Sequence, residues 1–153
     1  MLTALLALSL ATAPSVDEFF REPERVQIFL AELDQEMLTP RENDTRPRSG
    51  VFLLTREGPE LKKEDREALS KIWVPAKDHT PRPPRKCMFN PDIALRFWRG
   101  KTWVDAVVCF SCEQIAFRGP KGEIIKPGFL DDFSVLHQVA KQAFPDGSYH
   151  KGL

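Results

Sequence analysis

This chain is poor in the side chains that carry most enzyme chemistry: it has three histidines, three cysteines and a single tyrosine in 153 residues. No glycine-rich phosphate loop, His-Glu-x-x-His or Gly-x-Ser-x-Gly occurs, so the common signatures of nucleotide binding, zinc hydrolysis and serine hydrolysis are missing. Net charge is missing too. Lys and Arg number 22, as do Asp and Glu, and such a balance excludes an overall field that would draw the chain to nucleic acid, an anionic membrane or acidic substrates. Beyond the N-terminus, no apolar stretch approaches the length of a membrane span. These gaps point away from an enzyme and toward a binding or structural module. Its partner class is a protein or cell-envelope component, with no nucleic acid and no membrane span.

What is present describes a folded domain. A hydrophobic content of 42% with 11 Phe is enough for one core, and 13 Pro imply stiff connecting segments. Residues 1–13 carry no charge and end in the small-x-small triplet Ala11-Thr12-Ala13. That run falls well short of a hydrocarbon core roughly 30 Å thick, and it reads as a secretory signal peptide. Export to the periplasm or medium follows. The alternative is a cytoplasmic chain whose first residues form an apolar helix on the core. Residues 14–153 then form a single α+β domain.

Ser15 and Glu18 are spaced as a capping box for a short helical turn. Residues 25–31 mix helical and alternating patterns, and their β-branched and aromatic content tips them to a strand. Residues 40–50 read as a mobile, charged surface loop, and 51–55 as a strand closed by Gly58-Pro59. One helix is expected over 60–73, where Leu61, Ala68, Leu69, Ile72 and Trp73 share a face. Pro75 should stop it and open a Pro-rich connector over 75–86. A second helix is expected over 131–144, capped by Asp131 or Asp132. The expected core includes Phe97, Val104, Val108, Phe110, Leu69, Ile72, Leu136 and Val139.

The stretch 93–118 is the most legible. Apolar residues alternate on both sides of Arg99-Gly100-Lys101-Thr102, the pattern of a β-hairpin, with a third strand around Ile115 and Phe117. A one-residue slip would place an apolar face opposite Asp105, so the numbers of paired residues must add to an odd total. A total of 201 pairs Arg96 with Asp105 and Trp98 with Trp103, whereas 199 sets Arg96 against Trp103. Opposite charges and paired aromatics favour 201. The ion pair is expected to be exposed and to contribute under about 1 kcal/mol. The fold class is therefore α+β: an antiparallel sheet made of the 93–118 meander, a strand near 51–55 and one near 25–31, covered by helices 60–73 and 131–144.

This hairpin gathers the cysteines. In either register Cys87 arrives level with residues 112–114, beside Cys109-Phe110-Ser111-Cys112. A structural disulfide from Cys87 to Cys112 or Cys109 is the favoured use, with one thiol left over. The zinc alternative takes Cys87, Cys109, Cys112 and His79 as ligands, because Asn90 stands where a zinc ribbon places its second cysteine. Inert buried thiols and a redox pair are the remaining readings, the last disfavoured because strand, not helix, follows Cys112. No catalytic residue and no cofactor is assigned. His137 falls beside an apolar helical stripe as a structural histidine, and His79 and His150 read as solvated loop residues.

The string Cys87-Met88-Phe89-Asn90-Pro91 with Leu95-Arg96-Phe97, Val104-Asp105 and Cys109-Phe110-Ser111-Cys112 resembles a group of small uncharacterised bacterial proteins. These share a Cys-x-x-x-Pro…Leu-Arg-Phe…Val-Asp…Cys-Phe-x-Cys core and are often exported. The similar region spans roughly the C-terminal 60% of the chain, and the loop over 40–50 stands outside it as an insertion. No activity attaches to the group, so the resemblance implies compartment and architecture and carries over no functional residue.

Overall fold

The computed structural model describes residues 14–34, 44–80 and 86–150. The signal-peptide reading, residues 40–43 of the charged loop and residues 81–85 of the Pro-rich connector lie outside them. The described residues are mostly antiparallel sheet with three helices, and the sheet curls into half a barrel. In order come α1 (Val16–Arg21), β1 (Arg25–Leu33), β2 (Arg48–Ser49), β3 (Phe52–Glu60), α2 (Lys63–Lys71) and β4 (Trp73–Pro75). Then follow β5 (Ile93–Arg99), β6 (Thr102–Cys109), β7 (Gln114–Arg118), β8 (Ile124–Ile125), β9 (Gly128–Leu130) and α3 (Phe133–Ala143). Seven strands run in the order β2-β3-β1-β5-β6-β7-β8, and β4 with β9 makes a separate two-stranded ribbon.

The β5–β6 register has the total of 201: Arg96 faces Asp105 and Trp98 faces Trp103, with the indole rings 4.8 Å apart. Val26, Ile28, Leu95, Phe97, Val104 and Val108 line one face, where Leu69 of α2 and Leu136, Val139 and Ala140 of α3 join them. Ile72 is only half-buried at the edge of this core. Phe20 of α1 is fully buried, stacked on Trp73 at 3.9 Å and tilted against Phe97 at 4.7 Å. Its N-terminal turn is closed by Glu18, whose carboxylate accepts the Ser15 N–H at 2.7 Å. The Asp132 carboxylate caps α3 by accepting the Ser134 N–H at 2.8 Å, and these bonds hold its pKa below the ordinary carboxylate value.

Several expectations need correction. β3 does not end before Gly58-Pro59 but runs through them. Against β1 it carries two bulges, at 58–59 and at Thr55, and a bulge is where a strand tolerates proline. The helix expected over 60–73 is shorter at both ends. The Leu61 N–H donates to the Val26 carbonyl and prolongs the sheet, and Trp73 turns into β4. Pro75 belongs to that strand, paired with Gly128, so the connector begins later than expected.

Residues 44–50 are held in place, contrary to the mobile loop expected there. Arg48 bridges Asp34 at 2.6 Å and also Asp44, Arg46 grips Asp44 at 2.6 Å, and β2 pairs with β3. Arg46 and Arg48 together hold the Asp44 carboxyl well below the usual range.

The sheet is also buried on both faces. Phe29, Phe52, Leu54, Ala94 and Val107 form a second core with Val51 and Phe89 packed on it. Of these, Ala94 and Val107 fall between the alternating positions of the hairpin that face the helices. Two covering segments, 44–51 and 86–90, are too short and irregular to announce themselves by period. The Arg96–Asp105 pair lies under this cover. Asp105 is 1% exposed, both its oxygens accept from Arg96 at 2.7 and 2.9 Å, and Arg96 also donates to the Arg48 carbonyl. The pair is buried rather than exposed.

Candidate functional site

The β6–β7 connection is a tight turn in which the Glu113 N–H donates to the Phe110 carbonyl at 3.2 Å. Glu113 adopts φ 48°, a left-handed conformation that a non-glycine residue holds only when its surroundings fix it. Asp92 does much of the fixing. Its carboxylate accepts the Phe110 N–H at 2.7 Å, and its own N–H donates to the Val108 carbonyl at 2.8 Å. Cys112 is thereby buried inside the turn. Cys87, which is exposed, lies on the covering segment with its Cα 5.8 Å from that of Cys112, within the range for a disulfide, and the two sulfurs are at bonding distance. Cys109 is apart from this pair: it is buried, and its sulfur meets Ser111 Oγ at 3.4 Å.

The zinc set of Cys87, Cys109, Cys112 and His79 is not gathered. Among the described residues no three His, Cys, Asp or Glu side chains are placed so that they could hold a metal ion. The His79 ring stacks on Phe129 at 4.9 Å, with 13° between planes, rather than standing free in a loop.

Beside the turn is an aromatic cluster that the sequence showed only in part. His137 stacks on Phe110 at 3.9 Å, and His150, exposed as expected, has its ring 5.6 Å from that of His137 and 4.0 Å from that of Tyr149. Burial and then the neighbouring His150 lower the pKa of His137, with Asp92 opposing them. Position 137 next to the apolar stripe was legible. Its partner is not, because Phe110 comes from the β6–β7 turn, distant in sequence from α3.

The other feature is a groove of about 530 Å³ between the β7–β8 hairpin and the wall made by β9 and the turn at 76–79. Its apolar lining includes Ile115, Phe117, Ile124, Ile125 and Phe129, with His79 and Lys126 beside them. Ile124 is 70% exposed there. No sequence signal marks this groove, since β8 and β9 are two and three residues long. Among the described residues no helix is long and apolar enough to cross a membrane. Comparison with family models, curated proteins and solved structures finds no match to this chain.

Proposed function

We propose that this chain is an exported, non-catalytic protein that binds a protein or cell-envelope partner and is pinned by a Cys87–Cys112 disulfide. The observation that carries the reading is the Cys87–Cys112 pair at 5.8 Å (Cα to Cα), with Cys87 open to solvent. An accessible bond of that kind persists in an oxidising compartment and is reduced in a bacterial cytosol. The uncharged leader-like residues 1–13 and the resemblance to small exported bacterial proteins agree with it.

The side chains of Asp105, Asp92 and His137 are committed to structure. Both oxygens of Asp105 bind Arg96, Asp92 holds the Phe110 N–H, and His137 is stacked face-on against Phe110. The groove beside β7 is mostly apolar, as binding clefts are.

Expression of the full chain in a Gram-negative host, followed by fractionation and intact-mass measurement, tests the reading. The expected product is periplasmic and begins at Pro14. A full-length cytoplasmic chain would contradict export.

A further inference from the structure

We infer that the groove beside β7 is a docking site for an extended segment of another protein, which adds as a strand to the β7 edge. This rests on the reading of the chain as a binding protein and names the chemistry of its partner.

The backbone comes first. β8 pairs only with Phe117 and Arg118, so among the described residues no strand lies on the outer side of residues 114–116. That length of open edge, roughly 10 Å at about 3.3 Å per residue, offers main-chain donors and acceptors to an incoming strand. The facing wall is β9, itself paired only with β4, so a strand laid in the groove would lie between the seven-stranded sheet and the ribbon.

The side chains say what that strand should carry. Ile115 and Ile124 line the groove beside the open edge with apolar surface, which an extended chain meets with every second side chain, and Ile124 is 70% exposed. Lys126 stands at the groove, and none of the lining residues is acidic. A carboxylate therefore meets complementary charge there, and a basic peptide does not. The occupant is an extended segment with alternating apolar side chains next to an acidic residue.

The test uses the oxidised full-domain protein and a fluorescein-labelled peptide that alternates valine with threonine and ends in two glutamates, read by anisotropy. Saturable binding below about 1 mM is expected. N-methylation of the amides of alternate peptide residues removes ladder donors and should weaken binding by about tenfold or more. Replacing the two glutamates by lysines, or Ile124→Glu in the exposed rim, should do the same, with circular dichroism confirming that the variant is folded. No saturation by 1 mM, or equal binding of the N-methylated peptide, would overturn the proposal. So would binding of sodium dodecanoate without binding of the peptide, which would make this a lipid cleft. Self-association in sedimentation that Ile124→Glu abolishes, without peptide binding, would assign the groove to a second copy and overturn it as well. Because the domain is assayed after purification, a failure here is separate from a failure of export.

Discussion

Replacing Asp105 by alanine isolates the most consequential polar contact in the sheet. An exposed cross-strand ion pair contributes about 0.2–1 kcal/mol, and its loss would scarcely register. This pair differs in three respects: the carboxylate is 1% exposed, both its oxygens are bonded to Arg96, and the guanidinium lies 4.8 Å from the Trp103 ring. Removing the acid strands a cation between aromatic rings, a loss of about 3–5 kcal/mol for a buried pair. The Arg96 side chain is 15% exposed and can recover some water, which favours the lower end, about 3 kcal/mol. Urea unfolding should show a lower midpoint at unchanged slope. The double variant Arg96→Met with Asp105→Leu should recover most of that loss, because what costs most is the unpaired charge. A single-variant loss below about 1 kcal/mol would refute the reasoning, as would a double variant that loses the sum of its parts.

Gly58→Ala would place a Cβ 2.8 Å from both Ile28 Cγ2 and Phe144 Cζ, an overpacking loss of about 1–3 kcal/mol, measurable as a fall in Tm of several degrees; an unchanged Tm would count against the bulge packing. Phe20→Ala empties the centre of the aromatic cluster and should cost about 3–5 kcal/mol by chemical denaturation, with a value near 1 showing that the site collapses. Cys87→Ser opens a loop of 25-residue separation, about 3.5 kcal/mol in the chain-entropy treatment, and should match the wild type under reductant; a variant as stable as the oxidised protein would exclude the bond as a stabiliser. His137 has a lowered folded pKa, so the unfolded chain takes up this proton more readily; its contribution is intact above about pH 6.5 and is lost as pH falls through the folded value. His137→Gln should therefore flatten the acid limb of the pH–stability curve, and an unchanged slope would show that another group controls it.

Legibility followed the range of the interactions. The hairpin register could be read because charge, aromatic pairing and face alternation all constrain the same few residues, Arg96, Asp105, Trp98 and Trp103. The arrival of Cys87 near residue 112 followed from that register by counting. The α3 stripe was local and equally plain, and its cap was narrowed to Asp131 or Asp132, of which the structure uses Asp132. The second core was hidden because its cover comes from 44–51 and 86–90, whose packing on Phe29 and Val107 leaves no periodic trace. For the same reason an ion pair that looks exposed along the strand is buried in the fold. The strand through Gly58-Pro59 was missed because a bulge, invisible in pattern, makes room for the proline. The groove depends on two strands too short to register at all.

The most direct test of the proposed function counts thiols. The domain, purified from the periplasm, is denatured without reductant, alkylated with iodoacetamide and weighed intact, then the experiment is repeated after reduction. One adduct before reduction, on Cys109, and three after it are predicted, with peptide mapping joining Cys87 to Cys112. Three adducts before reduction, above all with stoichiometric zinc in the purified protein, would contradict the account.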